Sequence, residues 1–84
     1  MAGRILYKSS VSRDLKKKID QRSAERILRE IRTTLVDNPR AGEALLGEFK
    51  GLFRLRIGDY RVIYTLVEGD VLVLRIGQRS RVYQ

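Results

Sequence analysis

Residues 52–84 read LFRLRIGDYRVIYTLVEGDVLVLRIGQRSRVYQ. Two Gly-Asp pairs, Gly58-Asp59 and Gly69-Asp70, divide three runs rich in Val, Ile, Leu, Tyr and Phe. Apolar runs separated by such turn pairs predict a three-stranded antiparallel meander. With Gly58 and Asp59 as a two-residue loop, Ile57 faces Tyr60, Arg56 faces Arg61, Leu55 faces Val62, Arg54 faces Ile63 and Phe53 faces Tyr64. Side chains alternate between faces along a strand. One face then collects Phe53, Leu55, Ile57, Tyr60, Val62, Tyr64 and Leu66, and the other collects Arg54, Arg56, Arg61, Ile63, Thr65 and Val67. The first is a core face and the second is basic.

The third strand has to choose a register. A two-residue loop at Gly69 carries Arg75 into the core, because a one-residue slip reverses the faces. A three-residue loop, Glu68-Gly69-Asp70, instead sends Leu72, Leu74 and Ile76 inward and adds Arg75, Gly77 and Arg79 to the basic face. The longer loop is therefore expected. Arg56 opposite Arg61 is a repulsive cross-strand pair with no evident folding benefit. Local inconsistencies of this kind concentrate at functional sites, although a merely solvated face is the plainer explanation.

Upstream, Arg4 to Lys8 reads as a first strand. Ser9, Ser10 and Ser12 are candidate N-caps, and Val11, Leu15 and Ile19 recur at helical spacing. Lys16, Lys17 and Lys18 lie mainly off that stripe. Asp20 can cap a second helix, whose apolar stripe is Ala24, Ile27, Leu28, Ile31 and Leu35. Asn38-Pro39 ends it, because the residue before proline is biased away from helix. The expected helices span 10–19 and 21–38. Residues 40–51 form a connection carrying three glycines. The chain is expected to be one α+β domain over 1–84: an N-terminal strand, a helical hairpin, then the meander, with both helices on one face of a four-stranded, mostly antiparallel sheet.

Composition narrows the chemistry. Lys and Arg total 18 against 10 Asp and Glu, a net charge of +8, and there is no Cys and no His. Ser/His/Asp and Cys/His catalytic sets are excluded, disulfides are excluded, and the commonest metal ligand is missing. No Walker loop or metal-spaced carboxylate cluster is present, so neither a metal nor a cofactor is expected. No run approaches the roughly 20 apolar residues of a membrane span, no signal peptide is visible, and a cytoplasmic location is expected. Most of the basic residues are arginine, which suits bidentate phosphate recognition. A polyanion is the expected partner, nucleic acid first. An arginine cluster with a tyrosine can clamp a phosphate and stabilise charge developing on it. RNA brings its own 2′-hydroxyl nucleophile, so positioning and electrostatics alone can cleave it.

The runs Leu46-Gly47, Phe53-Arg54-Leu55-Arg56-Ile57-Gly58-Asp59-Tyr60-Arg61-Val62-Ile63-Tyr64, Ile76-Gly77-Gln78-Arg79 and Val82-Tyr83 resemble the RelE/ParE toxin superfamily of type II toxin–antitoxin systems. Resemblance to the RelE branch implies a ribosome-dependent mRNA endonuclease that inhibits translation. It would cut by 2′-hydroxyl attack on the adjacent phosphate. The resemblance further implies Arg61, Arg79 and Tyr83 as catalytic residues, and Arg54, Arg56, Lys50 and Arg81 as RNA-binding residues. Arg56 stands where relatives often carry lysine, and Gln78 where many carry histidine, which throws proton transfer onto Tyr83 or another group. The implied partners are a cognate antitoxin, in a hetero-oligomer, together with the ribosome and mRNA. A ParE-like toxin that inhibits DNA gyrase without cutting RNA is the alternative.

Overall fold

The structure is a computed structural model that describes residues 3–17 and 19–78. Strand β1 (Ile5–Tyr7) leads into helices α1 (Ser9–Lys17) and α2 (Gln21–Asp37). Strand β2 (Glu43–Ala44) and a single 3-10 turn (Gly47–Phe49) follow, then β3 (Leu52–Ile57), β4 (Tyr60–Val67) and β5 (Asp70–Gln78). Among the described residues the sheet has five strands, in the order β1-β5-β4-β3-β2. Three of its four pairings are antiparallel, and β1 runs parallel to β5. The architecture is the expected α+β arrangement with one strand more than the sequence announced: β2 is only two residues long and carries no periodic signal.

The helices form where the stripes predict. Asp20 caps α2 by accepting a 3.1 Å hydrogen bond from the Ser23 amide, and hydrogen bonding from the Ser23 side chain, then from its amide, holds the Asp20 carboxyl below the usual range. The helix stops at Asp37, and Asn38 before Pro39 is extended, with φ −141°. Val11, Ile19, Ile27, Ile31 and Leu35 are all buried. They pack with Ile57, Val62, Tyr64, Val71, Val73 and Ile76 in one core between the helices and the sheet.

The β3–β4 register is the predicted one, Ile57 opposite Tyr60 through Phe53 opposite Tyr64. The β4–β5 register is not. Val67 pairs with Asp70, so the connection is the two-residue loop Glu68-Gly69 and not the expected three-residue loop. Both loop residues have positive φ, 49° at Glu68 and 85° at Gly69, the pattern of a type I′ hairpin turn. Asp70 therefore belongs to the strand. Tyr64 pairs with Val73 and Ile63 with Arg75, leaving Leu74 as an extra residue at a β-bulge. The bulge removes the dilemma posed by uniform alternation. Val71 and Val73 reach the core ahead of it, and Ile76 reaches the core beyond it. Leu72 and Leu74 are only partly buried.

Helix α1 closes the β5 edge where β1 ends. Ser10 Oγ donates to the Leu74 carbonyl at 2.7 Å. The Asp14 carboxylate accepts from the Ile76 amide at 3.0 Å. The opposite side of the sheet is fastened through Tyr64, whose hydroxyl donates to the Pro39 carbonyl at 2.8 Å and accepts from the Gly42 amide at 3.0 Å. A Cβ on Gly42 would lie 2.8 Å from that hydroxyl and 2.9 Å from the Arg54 carbonyl, so glycine is required there by proximity alone.

Candidate nucleic-acid interface

The β3–β4 hairpin builds the site. Gly58 has φ 59° and supplies the positive φ of the tight loop. The loop fixes the pairing of Arg56 with Arg61, and Gly77 lies opposite Arg61 on the other side. Ile57, Tyr60 and Val62 turn toward the helices, so the alternation places Arg56 and Arg61 on the helix-free face. Arg56 is exposed, whereas Arg61 retains only 9% of its accessible surface. Arg61 is thus buried, but not beneath the helices. A cavity of about 140 Å³ opens between Arg56, Gly58, Asp59, Tyr60 and Arg61. It has space for several waters at about 30 Å³ each. A cation held in a site shielded from water interacts more strongly with an anion than one in bulk solvent.

The other predicted residues divide. Arg54 occupies the same face, directly opposite Glu43 of β2, and its guanidinium forms an ion pair with the Glu43 carboxylate. Lys50 is exposed but precedes β3, so a whole strand separates it from Arg56. Over six residues that is about 20 Å. Arg75 stands on the basic face as expected, opposite Ile63 and in line with Arg54, but its guanidinium is taken by Asp14 of α1. Its Nε lies 3.1 Å and its second terminal nitrogen 3.3 Å from the Asp14 carboxylate. The bulge returns Arg75 to this face in spite of the two-residue loop, and its pairing with Asp14, 61 residues away, was not visible in the strand pattern. Arg79, Arg81 and Tyr83 lie outside the described residues.

Glu43 is the residue that sequence reasoning missed. It stands in a glycine-bearing connection with no periodicity, and its relation to Arg54 appears only once β2 pairs with β3. Among the described residues, no group of three His, Cys, Asp or Glu side chains is placed to hold a metal. No helix among them is long and apolar enough to cross a membrane.

A helical hairpin on a mixed sheet, with arginines on the uncovered face, defines a class: the toxins of type II toxin–antitoxin systems in the RelE/ParE superfamily. The family model described as "ParE toxin of type II toxin-antitoxin system, parDE" matches residues 5–83, and the chain belongs to that family. Toxin RelE of Mycobacterium tuberculosis is 32% identical over 79 residues, covering 90% of this chain and 80% of its own. Among solved structures, the toxin–antitoxin complex RelBE2 of M. tuberculosis superposes with a TM-score of 0.84 at 27% identity, over 94% of this chain and 100% of that one. The archaeal RelE-RelB complex of Pyrococcus horikoshii gives 0.74 at 28% identity, over 96% and 99%.

Proposed function

We propose that this toxin is a ribosome-dependent mRNA endonuclease of the RelE kind, acting in the cytoplasm and held inactive by a cognate antitoxin. The observation that carries the reading is the Arg56–Arg61 pair: two arginines directly opposed across a hairpin, one exposed and one buried, lining a small cavity on the face the helices leave open. Exposed Arg56 attracts the RNA backbone and sets its register. Buried Arg61 stabilises the charge that develops on the scissile phosphate as the 2′-oxygen attacks and the 5′-oxygen leaves. Bond making and breaking balance within the RNA: the 2′-hydroxyl gives up its proton, a cyclic phosphate forms, and the departing 5′-oxygen takes up a proton. Arg79 is assigned to the scissile phosphate or leaving group, Tyr83 to base stacking or proton transfer, Arg81 and Lys50 to RNA contact, and Arg54 to RNA contact once it leaves its Glu43 partner. The antitoxin assignment draws on the neighbours, which are named as toxin–antitoxin complexes.

The test is single-turnover cleavage of ribosome-bound mRNA by purified protein. Arg61→Ala should slow the cleavage step about 10²-fold or more, in line with other donors to transition-state charge. Tyr83→Phe should approach the defect of Tyr83→Ala if the hydroxyl transfers a proton, and should cleave almost normally if the ring only stacks. Cleavage at wild-type rate by folded Arg61→Ala removes the site proposed here.

The ParE description of the matching family favours a second reading, inhibition of DNA gyrase without RNA cleavage. Primer extension on cellular mRNA after expression, run beside a gyrase supercoiling assay, separates the two. New mRNA ends with unaffected supercoiling support the nuclease; intact mRNA with lost supercoiling supports the alternative.

A further inference from the structure

Glu43 is placed with more care than a surface carboxylate ordinarily is. It lies directly opposite Arg54 in the β2–β3 pairing. The chain on its N-terminal side is pinned by the bonds of the Tyr64 hydroxyl to Gly42 and Pro39. On its C-terminal side the Leu45 amide donates to the Leu52 carbonyl at 3.0 Å. Gly42 lies so close to β3 that a Cβ on it would come within 2.9 Å of the Arg54 carbonyl. Exposed ion pairs are weak largely because two long side chains must be ordered to form them. Here the backbone has already brought the two side chains together, and the Arg54 side chain is only 21% exposed.

We propose that Glu43 is an intramolecular competitor for Arg54, a built-in carboxylate occupying the guanidinium that a phosphodiester would otherwise take. This rests on the reading of the helix-free face as a polyanion site. The face then engages nucleic acid through Arg56 and Arg61, while Arg54 contributes little until Glu43 is displaced. A phosphate approaching Arg54 also meets a negative charge beside it. Glu43 therefore sets how tightly and how far toward the β2 edge the nucleic acid is held.

The experiment is a double-mutant cycle on binding of a labelled single-stranded DNA oligonucleotide, followed by fluorescence anisotropy across a range of NaCl concentrations. DNA lacks the 2′-hydroxyl, so binding is read apart from cleavage. With Glu43 present, Arg54→Gln should change affinity by less than about two-fold. Glu43→Gln should tighten binding several-fold and steepen the salt dependence by about 0.7 in log K against log salt, one phosphate contact on a single strand. Glu43→Ala should behave alike. Adding Arg54→Gln to Glu43→Gln should abolish the gain. Equal losses from Arg54→Gln with and without Glu43, a Glu43→Gln protein that binds no tighter, or no binding by any of the four proteins would overturn the proposal. An additive cycle with mRNA cleavage intact refutes the competitor alone; a coupled cycle with no cleavage refutes the nuclease reading alone.

Discussion

At the scale of single residues, Tyr64 joins the core to the connection that carries β2. It is fully buried, stacks on Phe53 with ring centroids 5.2 Å apart, and spends its hydroxyl on two backbone groups. Tyr64→Phe keeps the ring and strands the Gly42 amide and Pro39 carbonyl. The expected loss is about 1–3 kcal/mol, measured by urea denaturation. Burial raises the Tyr64 pKa above that of free tyrosine, and raises that of Tyr7 likewise. The unfolded chain therefore releases these protons first, near pH 10. Stability should be complete below that pH and decline as the pH climbs toward the folded values. Thermal melts from pH 8 upward should show the decline, and Tyr64→Phe should make it shallower. The sequence placed Tyr64 on the core face by alternation alone. It did not disclose the hydroxyl's partners, because Pro39 and Gly42 sit more than twenty residues away in a stretch without pattern.

At the scale of elements, the two hairpins show what alternation can and cannot decide. Gly58-Asp59 stands between runs whose faces agree, and the pairing read from the sequence is the pairing observed. At Gly69 the faces disagree, since Val73 and Ile76 both belong inside yet lie three apart. A strict period of two forces a choice between them, and only an inserted residue satisfies both. The loop that results holds Glu68 at φ 49°, a conformation that asparagine tolerates better. Glu68→Asn should raise stability by about 0.5–1 kcal/mol, visible as a higher melting temperature. Where β1 ends, Asp14 accepts three hydrogen bonds, two from Arg75 and one from the Ile76 amide. Asp14→Ala should cost about 1.5–3 kcal/mol. Hydrogen exchange should locate the damage: the Ile76 amide loses protection, while amides of the β3–β4 hairpin keep theirs.

At the scale of the molecule, a net charge of +8 on 84 residues favours capture of anionic partners and makes that capture salt-sensitive. Arg56→Gln should lower the salt slope for a single-stranded oligonucleotide by about 0.7, whatever its base sequence. The architecture and the opposed Arg56–Arg61 pair were legible in the sequence because periodicity and turn chemistry are local. The distribution of the remaining arginines was not. Arg75 is drawn away by Asp14 and Arg54 by Glu43, across sequence separations of 61 and 11 residues. Long-range pairing, not composition, decides how much of the charge faces outward.

Leu74 also bears on how the chain can change length. A deletion within a paired strand ordinarily inverts every side chain beyond it. Removing Leu74 would instead leave Val73 opposite Tyr64 and Arg75 opposite Ile63, with no residue reversed. Strand β5 thus holds one spare position, while β4 holds none. A chain lacking Leu74 should still fold, weakened by loss of the Ser10 bond, whereas a chain lacking Ile63 should not. Limited proteolysis and circular dichroism of the two deletions would show it.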